Sequence, residues 1–310
     1  MPPRVLISSA VLLSALACAE SPKVEIRNSE VWLLSDGKSL QLTRDGLPKS
    51  QALLSPAGGS VAYYQTCPKD PHRIRCLPTI VVINRTGSRV SAFRPGRGQL
   101  TDPSCDNLSI LGWIGDRIIA SQCHINPSLE EYFESDISSG RTTRDLLGYD
   151  FTPSPDRKRI AHVGWIVHFA PPYAHSNYLQ LDNTTVYPLP SGTKPLPGKN
   201  GDPPPEVVHH EGASYLGIHE FHSEFFWAPD SRHVAFIDCI YNWTSDRPAA
   251  LSVADGQESH RRCSAVIVSP TGSFDQLPLT VSPGLVRLSW ISARELSVQT
   301  GSAAQTIRLR

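Results

Sequence analysis

Five of the eleven histidines fall between residues 209 and 233. His209-His210-Glu211 is followed by His219-Glu220-Phe221-His222-Ser223-Glu224. Imidazole and carboxylate donors together suit Zn²⁺ or Mn²⁺. His219 and His222 are three apart, and His222 and Glu224 share a face if 219–227 is a strand. His209, His210, His219, His222 and Glu224 are therefore the candidate metal ligands, with His162, His168 and His175 upstream as donors that could converge on them. The plainer reading has these histidines on loops and strand ends, hydrogen-bonded and without metal. It is the one favoured here, so no cofactor is expected.

Other chemistry finds little support. Gly212-Ala-Ser214-Tyr-Leu-Gly217 lacks the spacing of a nucleophile elbow. There is no P-loop and no dinucleotide fingerprint. Glu130 and Glu131 read as solvated acids at a strand start. Aromatic residues on long loops are better candidates for binding by stacking on a sugar or gripping a peptide: Trp165, Tyr173, Tyr215 and Trp243. The Pro-rich stretch from Pro188 to Pro205 reads as an extended linker. Twenty-nine Lys and Arg balance twenty-nine Asp and Glu. That balance excludes a nucleic-acid binder, which needs a basic excess to neutralise phosphates.

The start of the chain says where it goes. Arg4 precedes an apolar run from Val5 to Leu16, too short for a transmembrane helix and right for a signal-peptide core. Ala15-Leu16-Ala17 before Cys18 fits a signal-peptidase site and an imperfect lipobox, which makes Cys18 a lipidation candidate. Residues 1–19 are assigned to the signal and 20–310 to one domain. The expected location is the periplasm or the outer membrane, reached through a lipid anchor, with plain secretion as the alternative. Six cysteines then remain in an oxidising compartment, enough for three disulfides.

These side chains must be held by something, and the sequence repeats one device. Leu54 to Tyr63, Trp113 to Ala120, Pro153 to His162, Trp227 to Phe236 and Trp290 to Ser297 each carry an apolar residue, a short turn and an apolar return strand. Pro sets φ for the turn and β-branched residues alternate beyond it. Each is a hairpin, and second strand pairs follow around Asn84 to Gly87, Ser138 to Gly140, Asp182-Asn183 and Ser269 to Gly272. Two hairpins per repeat make a four-stranded antiparallel blade.

Trp227-Ala-Pro-Asp-Ser-Arg-His-Val-Ala-Phe236 and Pro153-Ser-Pro-Asp-Arg-Lys-Arg-Ile-Ala-His162 resemble the WD40-like PD40 repeats of TolB-type β-propellers. The repeats near Leu54, Trp113 and Trp290 depart at the Pro or the Asp. The resemblance implies an all-β fold: a propeller of five four-stranded blades, closed by pairing of the N- and C-terminal strands. Six blades is the alternative, if a degenerate one lies within 190–222. On this blade plan the disulfides are Cys67–Cys76, Cys105–Cys123 and Cys239–Cys263, two of them clamping the loop between second and third strands. The resemblance also implies a monomeric envelope protein that binds a protein or glycan partner without catalysis. The alternative is a metal-dependent polysaccharide lyase using the histidine cluster, as in propeller lyases with a His-bound metal.

Overall fold

The computed structural model describes residues 21–66, 78–96, 108–126, 129–164, 176–189, 196–197, 209–211, 214–244 and 256–309. Among them every regular element is a strand, apart from a 3-10 turn at Pro283–Leu285. The first sheet holds β1 (Lys23–Arg27), β2 (Glu30–Ser35) and β3 (Lys38–Gln41). The second holds β4 (Lys49–Leu54), β5 (Ser60–Gln65), β6 (Thr79–Asn84) and β7 (Arg89–Phe93). An eight-stranded meander follows: β8 (Leu108–Ile114), β9 (Ile118–Asn126), β10 (Leu129–Asp136), β11 (Thr142–Pro153), β12 (Ile160–Gly164), β13 (Leu179–Leu181), β14 (Thr184–Tyr187) and β15 (Leu196–Pro197). The fourth sheet comprises β16 (His209–Glu211), β17 (Ser214–Phe221), β18 (Phe226–Trp227), β19 (Val234–Thr244), β20 (Gln257–Val268) and β21 (Phe274–Pro278). The last has β22 (Val286–Ser292), β23 (Glu295–Thr300) and β24 (Ala303–Arg308).

The meander is two blades sharing β11. Its first half pairs with β10 and its second with β12. Between them Gly148 and Asp150 take positive φ, 157° and 58°. A Cβ at Gly148 would lie 2.1 Å from the Val163 carbonyl oxygen, so only glycine fits. The chain reverses there. Phe151 comes back over Tyr132, with ring centroids 5.5 Å apart, and Arg144 in the first half donates to the Lys158 carbonyl in the next blade's turn, 2.9 Å.

The repeated hairpin turns share one mechanism. Gly58, Arg157 and Ser231 each donate backbone N–H to the Ser or Ala three residues earlier, and each has positive φ. Facing blades then pack apolar side chains against each other. One cluster joins Val31 and Leu33 to Val61, Tyr63 and Ile83, and another joins Tyr64, Ile80 and Val82 to Ile110, Ile119 and Phe133. Leu146 meets Ile160, Leu179 and Tyr187 meet Phe236 and Val266, and Ile237 and Ile267 meet Leu288 and Val298. Five apolar interfaces thus run through six units in a row.

Three of the interfaces carry the same polar tie. The indole of Trp113 donates to the Leu53 carbonyl at 3.2 Å, Trp227 to Thr152 at 2.9 Å and Trp290 to Phe226 at 2.8 Å. Each Trp sits at the same place in its hairpin, where Leu54 and Pro153 stand in the repeats without a donor.

Three expectations are corrected. Among the described residues no strand of the first sheet pairs with one of the last, so the predicted closure is absent. Both are separate three-stranded sheets whose outward faces are polar: Glu25 and Arg27 form an ion pair on one, and Glu295 and Arg308 on the other at 2.9 Å. The strand expected over 219–227 breaks at 222–225 into β17 and β18. Cys239–Cys263 is bonded as predicted. Its cysteines are direct cross-strand partners in mid-strand, though, and β19 and β20 run on past them to Thr244 and Gln257. Cys123 is also disulfide-bonded; Cys18, Cys67, Cys76 and Cys105 lie outside the described residues. No degenerate blade is seen in 190–222 among the described residues, where β15 and β16 only edge the neighbouring sheets.

Candidate functional site

Of the clustered histidines only His219 lies in β17, which runs between β16 and β19, and period-two alternation splits the β17 side chains between two faces. His219 points at the preceding blade. Its Nδ1 lies 2.6 Å from Asp238 Oδ2 on β19, and the Tyr187 hydroxyl donates to the same oxygen at 2.7 Å. Asp238 is 2% exposed, and its Oδ1 has no partner among the described residues. With the Asp238 carboxylate accepting, Nδ1 is the ring nitrogen that donates to it. Burial pushes the Tyr187 hydroxyl far above the ordinary tyrosine range, with the Asp238 charge adding to it. The hydroxyl is therefore a permanent donor.

Ser176 and Asn177 finish the edge of β17 in place of a strand. The His219 N–H donates to Ser176 Oγ at 3.1 Å and Phe221 N–H to Asn177 Oδ1 at 2.8 Å. Asn177 N–H donates in turn to the His219 carbonyl at 2.7 Å, and its Nδ2 reaches the Tyr149 hydroxyl. Burial raises the Tyr149 hydroxyl, with Asp150 adding to the shift.

Glu220 points to the opposite face. Arg261 on β20 binds it at 2.6 Å, holds Glu258 with Nη2 at 2.6 Å, and lies over Tyr241, 4.7 Å from the ring centroid. Arg261 Nη1 also donates to His222 Nε2 at 2.9 Å. A guanidinium only donates, so the lone pair that a metal would use on His222 is taken. Glu224 is exposed. Among the described residues no three His, Cys, Asp or Glu side chains gather as a metal site. His209 and His210 belong to β16, where His210 is paired in register with Tyr215; their side chains, and that of Tyr215, lie outside the described residues. So do Trp165, Tyr173, His168 and His175.

Trp243 is placed and is not a loop residue. It lies in β19, 2% exposed, against Ile218 and Tyr241. A Cβ on Gly256 would meet its ring at 2.0 Å. A ring so enclosed has no face for a ligand. Glu130, expected to be solvated, is held by His124 Nδ1 at 2.9 Å and by Gln122. Burial raises its carboxyl, His124 opposing. Asp238, missed in the sequence, had one signal: an acid inside the apolar run Val234 to Tyr241, which burial obliges to find a partner.

All of these groups stand toward one end of the blades. The hairpin turns leave the other end. From the end bearing His219 leave residues 66–78, 94–107, 165–178 and 245–256, which join strands within or between blades.

No protein-family model matches the sequence, and no curated protein matches it significantly. Among solved structures it is similar to TolB from Acinetobacter baumannii, with 13% identity and a TM-score of 0.28. That match covers 93% of this chain and 63% of TolB, so the chain spans less than two thirds of that protein. It is also similar to the β-propeller domain of the Trilobed protease from Pyrococcus furiosus, at 9% identity and TM-score 0.32 over 93% of this chain and 96% of the domain. With the tricorn protease the figures are 13% and 0.42, over 90% of this chain and 27% of that one.

Proposed function

We propose that this chain is an exported, non-catalytic binding module of the cell envelope, presenting one end of its blades to a protein or glycan partner. The observation that carries the reading is the asymmetry between the two ends. One end carries the repeated hairpin turns, whereas the longer connections 66–78, 94–107, 165–178 and 245–256 join strands at the other, beside the two-residue links β9–β10 and β16–β17. Rigid strands that carry long loops at one end are the usual way to build a recognition surface. Among the described residues this end offers the exposed Glu224 and the half-exposed Glu220, His222 and Arg261, with His219 oriented beneath them by Asp238. Among the described residues the hydroxyl nearest the dyad's strand, Ser176 Oγ, is committed to the His219 backbone. Export is supported by the Cys239–Cys263 disulfide, a bond that persists in oxidising compartments, together with the signal-like start before Cys18.

A photo-crosslinking residue at Asn242 or Glu224, in cells that export the protein, should yield adducts with envelope components. The reading predicts that these disappear when residues 245–255 are replaced by a two-residue turn. Adducts that survive the replacement, or none from either position, would refute it. Cys18→Ala should release the protein from membranes; unchanged partitioning would remove the lipid anchor.

A further inference from the structure

The opposite end, where the hairpin turns lie, holds an open cleft of about 400 Å³ between three blades. Its walls are Pro153, Pro155 and Arg157 of one turn, Phe226 and Trp227 of β18, and Trp290 of β22. Both indoles are locked, because each Nε1–H is spent on a backbone carbonyl of the preceding blade. Trp290, half-buried, therefore presents ring surface and no donor, and Trp227, 9% exposed, closes the wall behind it. Two prolines stiffen the facing turn. Arg157 is exposed, and among the described residues no carboxylate pairs with it. Asp156, beside it, is turned into its own hairpin, where it accepts from Ser154 Oγ at 2.7 Å and Lys158 N–H at 3.1 Å.

We propose that this cleft docks an extended segment of a partner protein, an apolar or aromatic side chain lying against Trp227 and Trp290 and an adjacent carboxylate on Arg157. Charge and hydrogen-bonding capacity choose the occupant. The wall carries one unpaired cation and no acid, so it favours an anionic ligand. A glycan would bring a ring of hydroxyls, and among the side chains lining the cleft only the Arg157 guanidinium is free to meet them. Ser154 Oγ donates to Asp156, Thr152 Oγ1 donates to the Asp150 carbonyl at 3.5 Å, and the indole N–H groups are occupied. A peptide of the stated kind needs ring surface and one guanidinium, which is what the walls supply. Because the rings and turn are already fixed, little ordering opposes binding. This site lies at the other end from the surface proposed above and does not depend on it.

The test titrates the full-length protein with blocked tetrapeptides, acetyl-Gly-Asp-Phe-Gly-amide and its Asn counterpart, followed by tryptophan fluorescence. Saturable binding of the Asp probe is expected, weakened about tenfold for the Asn probe, as loss of one charge-assisted hydrogen bond implies. Arg157→Asn should cause the same loss; Asn tolerates the 60° φ at this position, so the turn is kept. Pro155→Asp, which sets a like charge on the rim, should weaken the Asp probe more than the Asn probe. Equal affinities for both probes, equal affinity in Arg157→Asn, or no saturation with either peptide would overturn the proposal. A tetrasaccharide of glucuronic acid that binds where the peptide does not would overturn it in favour of a glycan.

Discussion

His162 gives the sharpest test of the fold. It is fully buried on β12, stacked on Phe151 with centroids 5.0 Å apart, and its Nδ1 fills the space beside Gly148. Nε2 lies 2.7 Å from the Asp182 carbonyl and Nδ1 3.2 Å from that of Val163. The neutral ring donates to the nearer carbonyl. Burial pushes the imidazole down to about 4 from the ordinary 6.5, against the pull of the two carbonyls. An unfolded chain therefore takes up this proton below pH 6.5, whereas the folded one resists until about pH 4. Stability is complete above pH 6.5 and falls between pH 6.5 and 4. A depression of this size is worth about 3 kcal/mol in full, and about 2.5 kcal/mol by pH 4.5. Urea unfolding at pH 7.0 and 4.5, for the wild type and His162→Gln, isolates the effect. Gln keeps a donor for the Asp182 carbonyl and cannot titrate. Carboxylates contribute equally to both proteins, so the wild type should lose about 2.5 kcal/mol more than the variant over that interval. Parallel losses would show that the ring is charged, or reached by water, in the folded state, and the packing described around Gly148 would be wrong.

Further expectations follow from the same contacts. Trp227→Phe removes the tie to the Thr152 carbonyl but keeps most of the ring, and should cost about 1 kcal/mol in chemical denaturation. Leu54→Trp, placed where the sister repeats carry their indole, tests whether the position alone makes the tie. A fall in melting temperature would show that Leu54 lies in a different setting. Gly148→Ala meets backbone at 2.1 Å and should lower the unfolding free energy by well over ~2 kcal/mol, unlike Gly→Ala at open Gly59. Reducing Cys239–Cys263, which spans a sequence separation of 24, should cost about 3 kcal/mol and sharpen proteolysis of the β19–β20 arm. Lys49→Ala removes the cation beside the buried Glu30 carboxylate, which keeps its Thr43 and Gly46 donors, and should destabilise by about 2 kcal/mol in urea unfolding.

The hairpins were legible because two signals coincide in them. Apolar alternation marks the strands, and a Ser/Ala-Pro turn with a residue at positive φ marks the reversal, so Ser55, Ser154 and Ala228 start equivalent turns. What escaped was whatever lacked one of those signals. β1 has Pro22 directly ahead of it but no Ser/Ala-Pro turn of the repeated kind to announce it. β11 joins two blades without a loop, and Gly148 alone marks the fold. The break at 222–225 falls on His222-Ser223-Glu224, three polar residues in a row where strict alternation lapses. In the site, the histidines drew notice by composition, yet alternation sends His219 and Glu220 to opposite faces. The partner that matters, Asp238, is set by strand register, which local sequence does not specify.

Among the described residues the apolar clusters join each sheet to its neighbour along the chain, and none joins the first sheet to the last. In such an array each unit is coupled only to its immediate neighbours, so stability adds along the row and is lowest where one neighbour is missing. Amide exchange should then report a gradient. β2 and β23 would open often and alone, while β12, β13, β19 and β20, flanked on both sides, would exchange only when the whole row comes apart.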